Sequence, residues 1–180
     1  MSMSVSVDIF WGYDLGEMVD DDWESTAPQW WQDAEDSEDG VEWEEEYARR
    51  HGWVEEPFPA DYPDTSAEWQ LSYEERNRIQ VEFEAGSVQY QAWSASRDRL
   101  RELVRQCPVE LDTYGHVDGE TGWVVRVKAS VQPHYGCTAS LLALHDPDPA
   151  WAAEIAQFMT LLELPVPAGK PGWHIASSYG

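Results

Sequence analysis

Trp123-Val124-Val125-Arg126-Val127-Lys128-Ala129-Ser130-Val131 is the stretch that decides the fold class. Trp123, Val125, Val127, Ala129 and Val131 alternate with Val124, Arg126, Lys128 and Ser130. A period of two puts one set on a buried face and the other on the opposite face, so the spacing predicts a strand over 123–131. Just upstream, Val109, Leu111 and Thr113 alternate with Glu110 and Asp112, and a loop rich in Gly and Asp joins the two runs from Gly115 to Gly122. The pair reads as an antiparallel hairpin.

Helical patterns flank this hairpin. Leu100, Leu103, Val104 and Cys107 fall at i, i+3, i+4 and i+7, and Pro108 ends the run, so an amphipathic helix is expected from about Ser96. Arg97, Arg99, Arg101 and Arg105 crowd its other faces. They are expected to pair with the acidic segment of the same chain, which would hide part of its charge, or else to lie on a separate face. Downstream, Thr138 to Leu144 is short and apolar, a candidate strand. Asp148 as N-cap and Pro149 at the first position open a helix with one apolar stripe: Trp151, Ile155, Phe158, Met159 and Leu162. Trp173 to Ser178 returns as a strand. At the other end, Val5, Val7, Ile9 and Trp11 alternate with Ser6, Asp8 and Phe10, a strand over 4–11 that the glycines of Gly12–Gly16 turn away. Ser72 followed by Glu75 is a capping-box spacing for a helix from Tyr73 to Phe83. The three prolines of 53–65 make that segment extended loop. The expected architecture is α+β: a small antiparallel or mixed sheet with helices packed on one face, plus an acidic insertion. Residues 1–180 read as one such domain, with 17–65 as the acidic, Trp- and Pro-rich insertion and 96–180 as a helix–hairpin–helix–strand body.

The insertion carries the functional signal. Glu17 to Glu46 holds fourteen acids and no Lys or Arg, together with Trp23, Trp30, Trp31 and Trp43. Its first part, to about Gly40, has no clean period and reads as irregular. Val41–Arg50 reads as a helix with Glu42 and Glu46 toward solvent and Trp43 and Tyr47 on one face, its acids and its Arg49 and Arg50 placed to suit the helix dipole. The net charge of the chain is -24, and residues 1–84 contribute -21 of it, from 25 acids and 4 bases. Phosphate binding needs Lys and Arg, so direct contact with DNA, RNA or anionic lipid is disfavoured. A basic partner is favoured, since an acidic field steers it in. Duplex DNA carries one charge per about 1.7 Å of axis, so such a charge corresponds to roughly 35 Å, or about ten base pairs. The partner-binding set is therefore Asp20, Asp21, Asp22, Glu24, Asp33, Glu35, Asp36, Glu38 and Asp39, with Trp23, Trp30 and Trp31 as aromatic anchors.

The chemistry of a site is sparse elsewhere. Cys107 lies on an apolar stripe and is expected to be buried and inert. His134 and Cys137 are three apart, with His116 and Asp118 near in sequence. A zinc site needs four ligands at recognisable spacing, so no metal, cofactor or catalytic residue is expected. An enzyme or small-ligand protein built around His116, His134 and Cys137 is the alternative reading, and a virion or assembly component is another. Two cysteines make no disulfide framework, no basic-then-apolar leader opens the chain, and no run reaches eighteen apolar residues. A reduced, cytoplasmic protein is the expectation.

Phe10-Trp11-Gly12-Tyr13-Asp14-Leu15-Gly16 and Pro171-Gly172-Trp173-His174-Ile175-Ala176-Ser177 resemble the two ends of a family of uncharacterised bacteriophage proteins. That family opens on an aromatic-Gly-Tyr-Asp-Leu-Gly strand and closes on a Pro-Gly-Trp strand. The junction from Leu100 to Leu111, with Val109 and Glu110, fits the same pattern, whereas His174 stands where the pattern has Tyr. The resemblance implies a phage or prophage origin and no catalytic activity. The charge is similar in class to that of small acidic phage proteins that block host restriction or CRISPR machinery by imitating DNA.

Overall fold

The computed structural model describes residues 5–17, 27–35, 42–65, 71–116, 121–135 and 144–179. The chain forms two compact units, one of Met1–Tyr47 with Cys107–Gly180 and one of Ala48–Gln106. The segment 17–65, read from sequence as one insertion, is divided between them.

All five strands lie in the first unit: β1 (Val5–Glu17), β2 (Val109–His116), β3 (Thr121–Val127), β4 (Gln132–Tyr135) and β5 (Gly172–Tyr179). The architecture is α+β. The sheet is mixed. β2 and β3 form the expected hairpin, Val109 opposite Val127 through Gly115 opposite Thr121. Along β1, residues 6–9 pair with β4 and residues 12–17 with β3, while β5 runs antiparallel along its other edge. At their ends β2 and β5 pair in parallel, Gly115 with Ser178 and His116 with Tyr179. The pairings therefore run β1–β3–β2–β5 and back to β1, a sheet coiled until it closes on itself.

The Gly12–Gly16 segment is strand, not turn. A bulge between Asp14 and Gly16 absorbs the irregularity, with Gly16 at φ 74°. The glycines let β1 bend while it keeps its partner. Conversely, the alternation of 123–131 outruns its strand. β3 ends at Val127, and Lys128–Ser130 is a 3-10 turn. Buried Ser130 holds that turn: its Oγ donates to the Val127 carbonyl at 2.7 Å and accepts from the Trp11 amide at 2.9 Å.

On one face of the sheet lie Ile9, Trp11, Val109, Leu111, Val125 and Val127, all buried. Helix α5 (Trp151–Leu161) covers it, with Trp151 against both Trp11 and Trp173. Ile155, Phe158, Met159 and Leu162 are buried, so the expected stripe is the packing face. The start of α5 differs from expectation. Asp148 Oδ1 accepts from the Ala150 amide in a turn before the helix, and the cap position is Ala150, which offers no side-chain bond. Helix α1 (Gln29–Glu35) joins the same face through Trp31, which meets Trp123 edge-on at 4.8 Å. Helix α2 (Trp43–Arg50) seats Trp43 and Tyr47 against Phe158, and its last turn belongs to the second unit.

The second unit consists of that turn, the loop 51–65, α3 (Tyr73–Gly86) and α4 (Val88–Gln106). The loop is fastened to α4 where the Trp53 indole donates to the Ser96 carbonyl at 2.8 Å and Ser96 Oγ donates to the Val54 carbonyl at 2.9 Å. The capping box of α3 is formed, with Ser72 and Glu75 bonded reciprocally. The helix read from Ser96 begins eight residues earlier, at Val88, in a stretch with too few apolar residues to show a period. Thr138–Ala143 and the larger part of the acidic run fall outside the described residues.

Candidate functional site

The acidic run enters the described structure at the end of β1 with Glu17, on α1 and around α2. Asp33 stands exposed on α1 and accepts from Gln29 Nε2 one turn back, at 2.8 Å, and Glu35 closes the same helix. Glu42 is exposed before α2. Asp20, Asp21, Asp22, Glu24, Asp36, Glu38, Asp39 and Trp23 lie outside the described residues.

α1 was not legible as a helix. At seven residues it is too short to persist alone in water, and its tryptophans supply what holds it. Trp31 is 1% exposed. The Trp30 indole donates to the Leu162 carbonyl at 2.7 Å, which occupies one of the carbonyls left over at the end of α5. Trp31 is therefore a core residue and is corrected from the anchor set, because its contact area is already spent within the first unit. Trp30 is half-buried, with its polar edge committed.

α2 departs from expectation at Glu46, which is buried and not turned to solvent. Glu44 is half-buried on the neighbouring turn. Burial pushes its carboxyl above the usual range. A hydrogen bond that the carboxylate accepts from its own backbone amide and the charge of Lys128 offset this in part, while Glu110 and Asp112 add to it. Lys128 lies 5.8 Å over the Trp43 ring. The Tyr47 phenol is pushed up to about 12, by burial first and then by its hydrogen bond with buried Cys107.

The opposite face of the coiled sheet holds a second acidic group that sequence reading passed over. Phe10, Val124 and Ala176 form a small buried cluster there, with Tyr114 and Val131 against it. Beside it, Arg126 lies with its side chain 12% exposed and its guanidinium 6.0 Å from the Phe10 ring. Arg126 Nε donates to Glu110 at 2.7 Å, Nη1 to Asp8 at 2.9 Å, and Nη2 pairs with Asp112. Burial disfavours its charge, but the bonds and charges of Glu110, Asp112 and Asp8 outweigh that and hold it above its ordinary value. Nearby, Tyr114 Oη donates to Asp14 Oδ1 at 2.8 Å, and His174 stacks on Phe10 and donates from Nε2 to the Gly12 carbonyl at 3.1 Å. The alternation that predicted β3 did put Arg126 opposite the buried valines. What it could not show is that β1 would bring Asp8 to the same guanidinium from 118 residues away.

His134 lies in β4, where its backbone pairs with Val7, and His116 ends β2; Cys137 and Asp118 lie outside the described residues. Among the described residues no three His, Cys, Asp or Glu side chains gather as a metal-binding group. Among them, too, no helix is long and apolar enough to cross a membrane.

Two arginines of α4 pair locally in the described structure. Arg101 bonds Asp98 at 2.7 Å and Arg105 bonds Glu102 at 2.8 Å, each one turn back on the same helix. This sharpens the charge asymmetry. The first unit carries 24 acids and three bases, Arg126, Lys128 and Lys170, for a net -21. The second carries 11 acids and eight bases, a net -3. Negative charge is thus sorted by structural unit, and one of the three bases of the acidic unit is already held by three carboxylates.

Comparison with models of known protein families, with curated proteins and with solved structures returned no match.

Proposed function

We propose that this chain is a phage-derived acidic interaction protein that binds and inhibits a basic, nucleic-acid-acting defence protein of the host, by DNA mimicry in the host cytoplasm. The observation that carries the reading is the sorting of charge: the strand-bearing unit has a net -21, against a net -3 in the other. A field of one sign raises the on-rate of a basic partner and repels nucleic acid. The contact set is the acidic run from Asp20 to Asp39, with Asp33 exposed on α1 and Glu35 at the end of that helix. With Trp31 enclosed, Trp30 and Trp23 remain as aromatic contacts, and charge carries more of the affinity than apolar anchoring does.

The test is capture of partners from a bacterial lysate on immobilised protein, at low and high salt, with and without excess duplex DNA. The captured proteins are expected to be nucleic-acid-binding and to be released by either salt or DNA. Replacing Asp20, Asp21, Asp22, Asp36, Glu38 and Asp39 by Asn or Gln should abolish capture while leaving the fold intact. Capture that is indifferent to salt and to DNA would remove the mimicry reading.

A further inference from the structure

The second unit contains a cleft unrelated to the acidic run. It lies between the loop 58–65 and the first two turns of α3, and its volume is about 740 Å³. That is within the range of small-molecule sites, roughly 300–1,000 Å³. Its walls are of two kinds. Phe58 and Tyr73 present aromatic surface and are 47% and 77% exposed. Phe58 is backed by Tyr62 and Trp93, each at 4.9 Å between ring centres, so its ring is held in place. Arg76, Asn77 and Gln80 supply donors from α3.

Two of the polar groups are already settled. Gln80 Nε2 donates to buried Thr65 Oγ1 at 3.3 Å, and Tyr62 Oη donates to Glu84 at 3.0 Å. Arg76 is different: its Nε is buried and has no hydrogen-bond partner among the described residues. A buried donor left unmade is costly, and a charged one more so, which makes such a group the place where a missing acceptor belongs. A carboxylate suits it, because turning the guanidinium toward the cleft offers Nε and one Nη in the fork that a carboxylate accepts with two oxygens. The exposed rings beside it want a flat apolar body. The two segments that form the cleft, 58–65 and 73–86, hold six acids and two bases, Arg76 and Arg78, so an anion there depends on Arg76 and not on the surrounding field. Asp64 also lines the cleft and works against an anion.

We propose that this cleft binds a small aromatic carboxylate, its acid group on Arg76 and its ring system against Phe58 and Tyr73. The site is independent of the acidic surface and stands or falls separately from it. The probes are 1-naphthaleneacetic acid and its uncharged amide, titrated into the full chain and followed by nitrogen-15 NMR of the arginine Nε–H signals and by the aromatic proton signals. Saturable shifts at Arg76 Nε–H, Phe58 and Tyr73 are expected. The acid should bind at least about tenfold more tightly than the amide, as a lost charged hydrogen bond implies. Arg76→Gln should erase that preference, Tyr73→Ala should weaken acid and amide alike, and Asp64→Asn should tighten the acid. No saturation by about 10 mM acid, which is affinity too weak to count as a site, would overturn the proposal. So would equal binding of acid and amide, or an unchanged preference in Arg76→Gln. Should Arg76→Gln fail to fold, the acid-to-amide ratio of the unmodified protein still decides.

Discussion

Arg126 is the residue on which the face of the sheet opposite α5 depends. Three carboxylates from two strands meet its guanidinium: Asp8 from β1, Glu110 and Asp112 from β2. Removing the cation leaves three like charges close together and partly desolvated. Arg126→Met is expected to cost about 3–5 kcal/mol, the range for breaking a buried ion pair from one side. Urea denaturation measures it, and adding Asp8→Asn, Glu110→Gln and Asp112→Asn to the same chain should recover much of the loss. Glu44 gives the opposite sign. Its folded pKa is raised by burial, so the folded state prefers the protonated form and stability falls as pH rises from 4.5 through the higher folded value. Glu44→Gln should therefore stabilise the protein at pH 7 and have no such effect below pH 4, where both forms are protonated. Thermal melts across that window decide it. Lys128 draws the pKa of the same carboxyl down while Glu110 and Asp112 push it up, so the stabilisation by Glu44→Gln should grow in a Lys128→Met background.

Among the elements, β1 organises the unit. It is thirteen residues long and touches β3, β4 and β5. Gly12 sits where its neighbour changes from β4 to β3, and there the strands approach so closely that an added Cβ would overlap the Val125 carbonyl oxygen. A backbone atom cannot turn aside as a side-chain end can. Gly12→Ala should therefore be among the most damaging single substitutions, about 3 kcal/mol or more, on the scale of the severe mutational mechanisms. Gly16→Ala meets no atom but has to adopt φ 74°, and should cost about 1 kcal/mol. The ratio of the two in denaturant midpoints separates steric closure from backbone preference. α1 makes the complementary point: its place follows from Trp31 and Trp30, so Trp31→Ala should release the helix along with its Asp33.

The whole molecule carries a net charge of -24, most of it in one unit. Self-repulsion of that size opposes the folded state and is screened by salt. The Debye length falls from about 30 Å at 0.01 M to about 10 Å at 0.1 M, so the urea midpoint should rise as NaCl is added over that interval. A midpoint that falls instead would mean that attractive pairs, such as those of Arg126, outweigh the repulsion. The same screening weakens a basic partner's binding. Stability and capture should thus respond to salt in opposite directions, which distinguishes loss of a partner from loss of the fold.

The sequence by itself determined what local chemistry dictates. The period of two in 109–113 and 123–127, the stripe from Ile155 to Leu162, the Ser72–Glu75 capping box and the uneven charge each depend on neighbours a few residues apart, and each stands in the structure as read. The α+β class followed from them. Only the tertiary structure decided the rest. It ended β3 at Val127, because Ser130 finds Trp11 across 119 residues; it made the Gly12–Gly16 segment strand, because β3 and β5 supply partners for its backbone. It placed Trp31 and Glu46 inside, and it gave Arg126 its third carboxylate. A hydrogen bond or a packed ring is indifferent to separation along the chain, whereas a sequence pattern records only short separations. The acids of the first unit were legible as a charge; which of them meet Arg126 was written only in the fold.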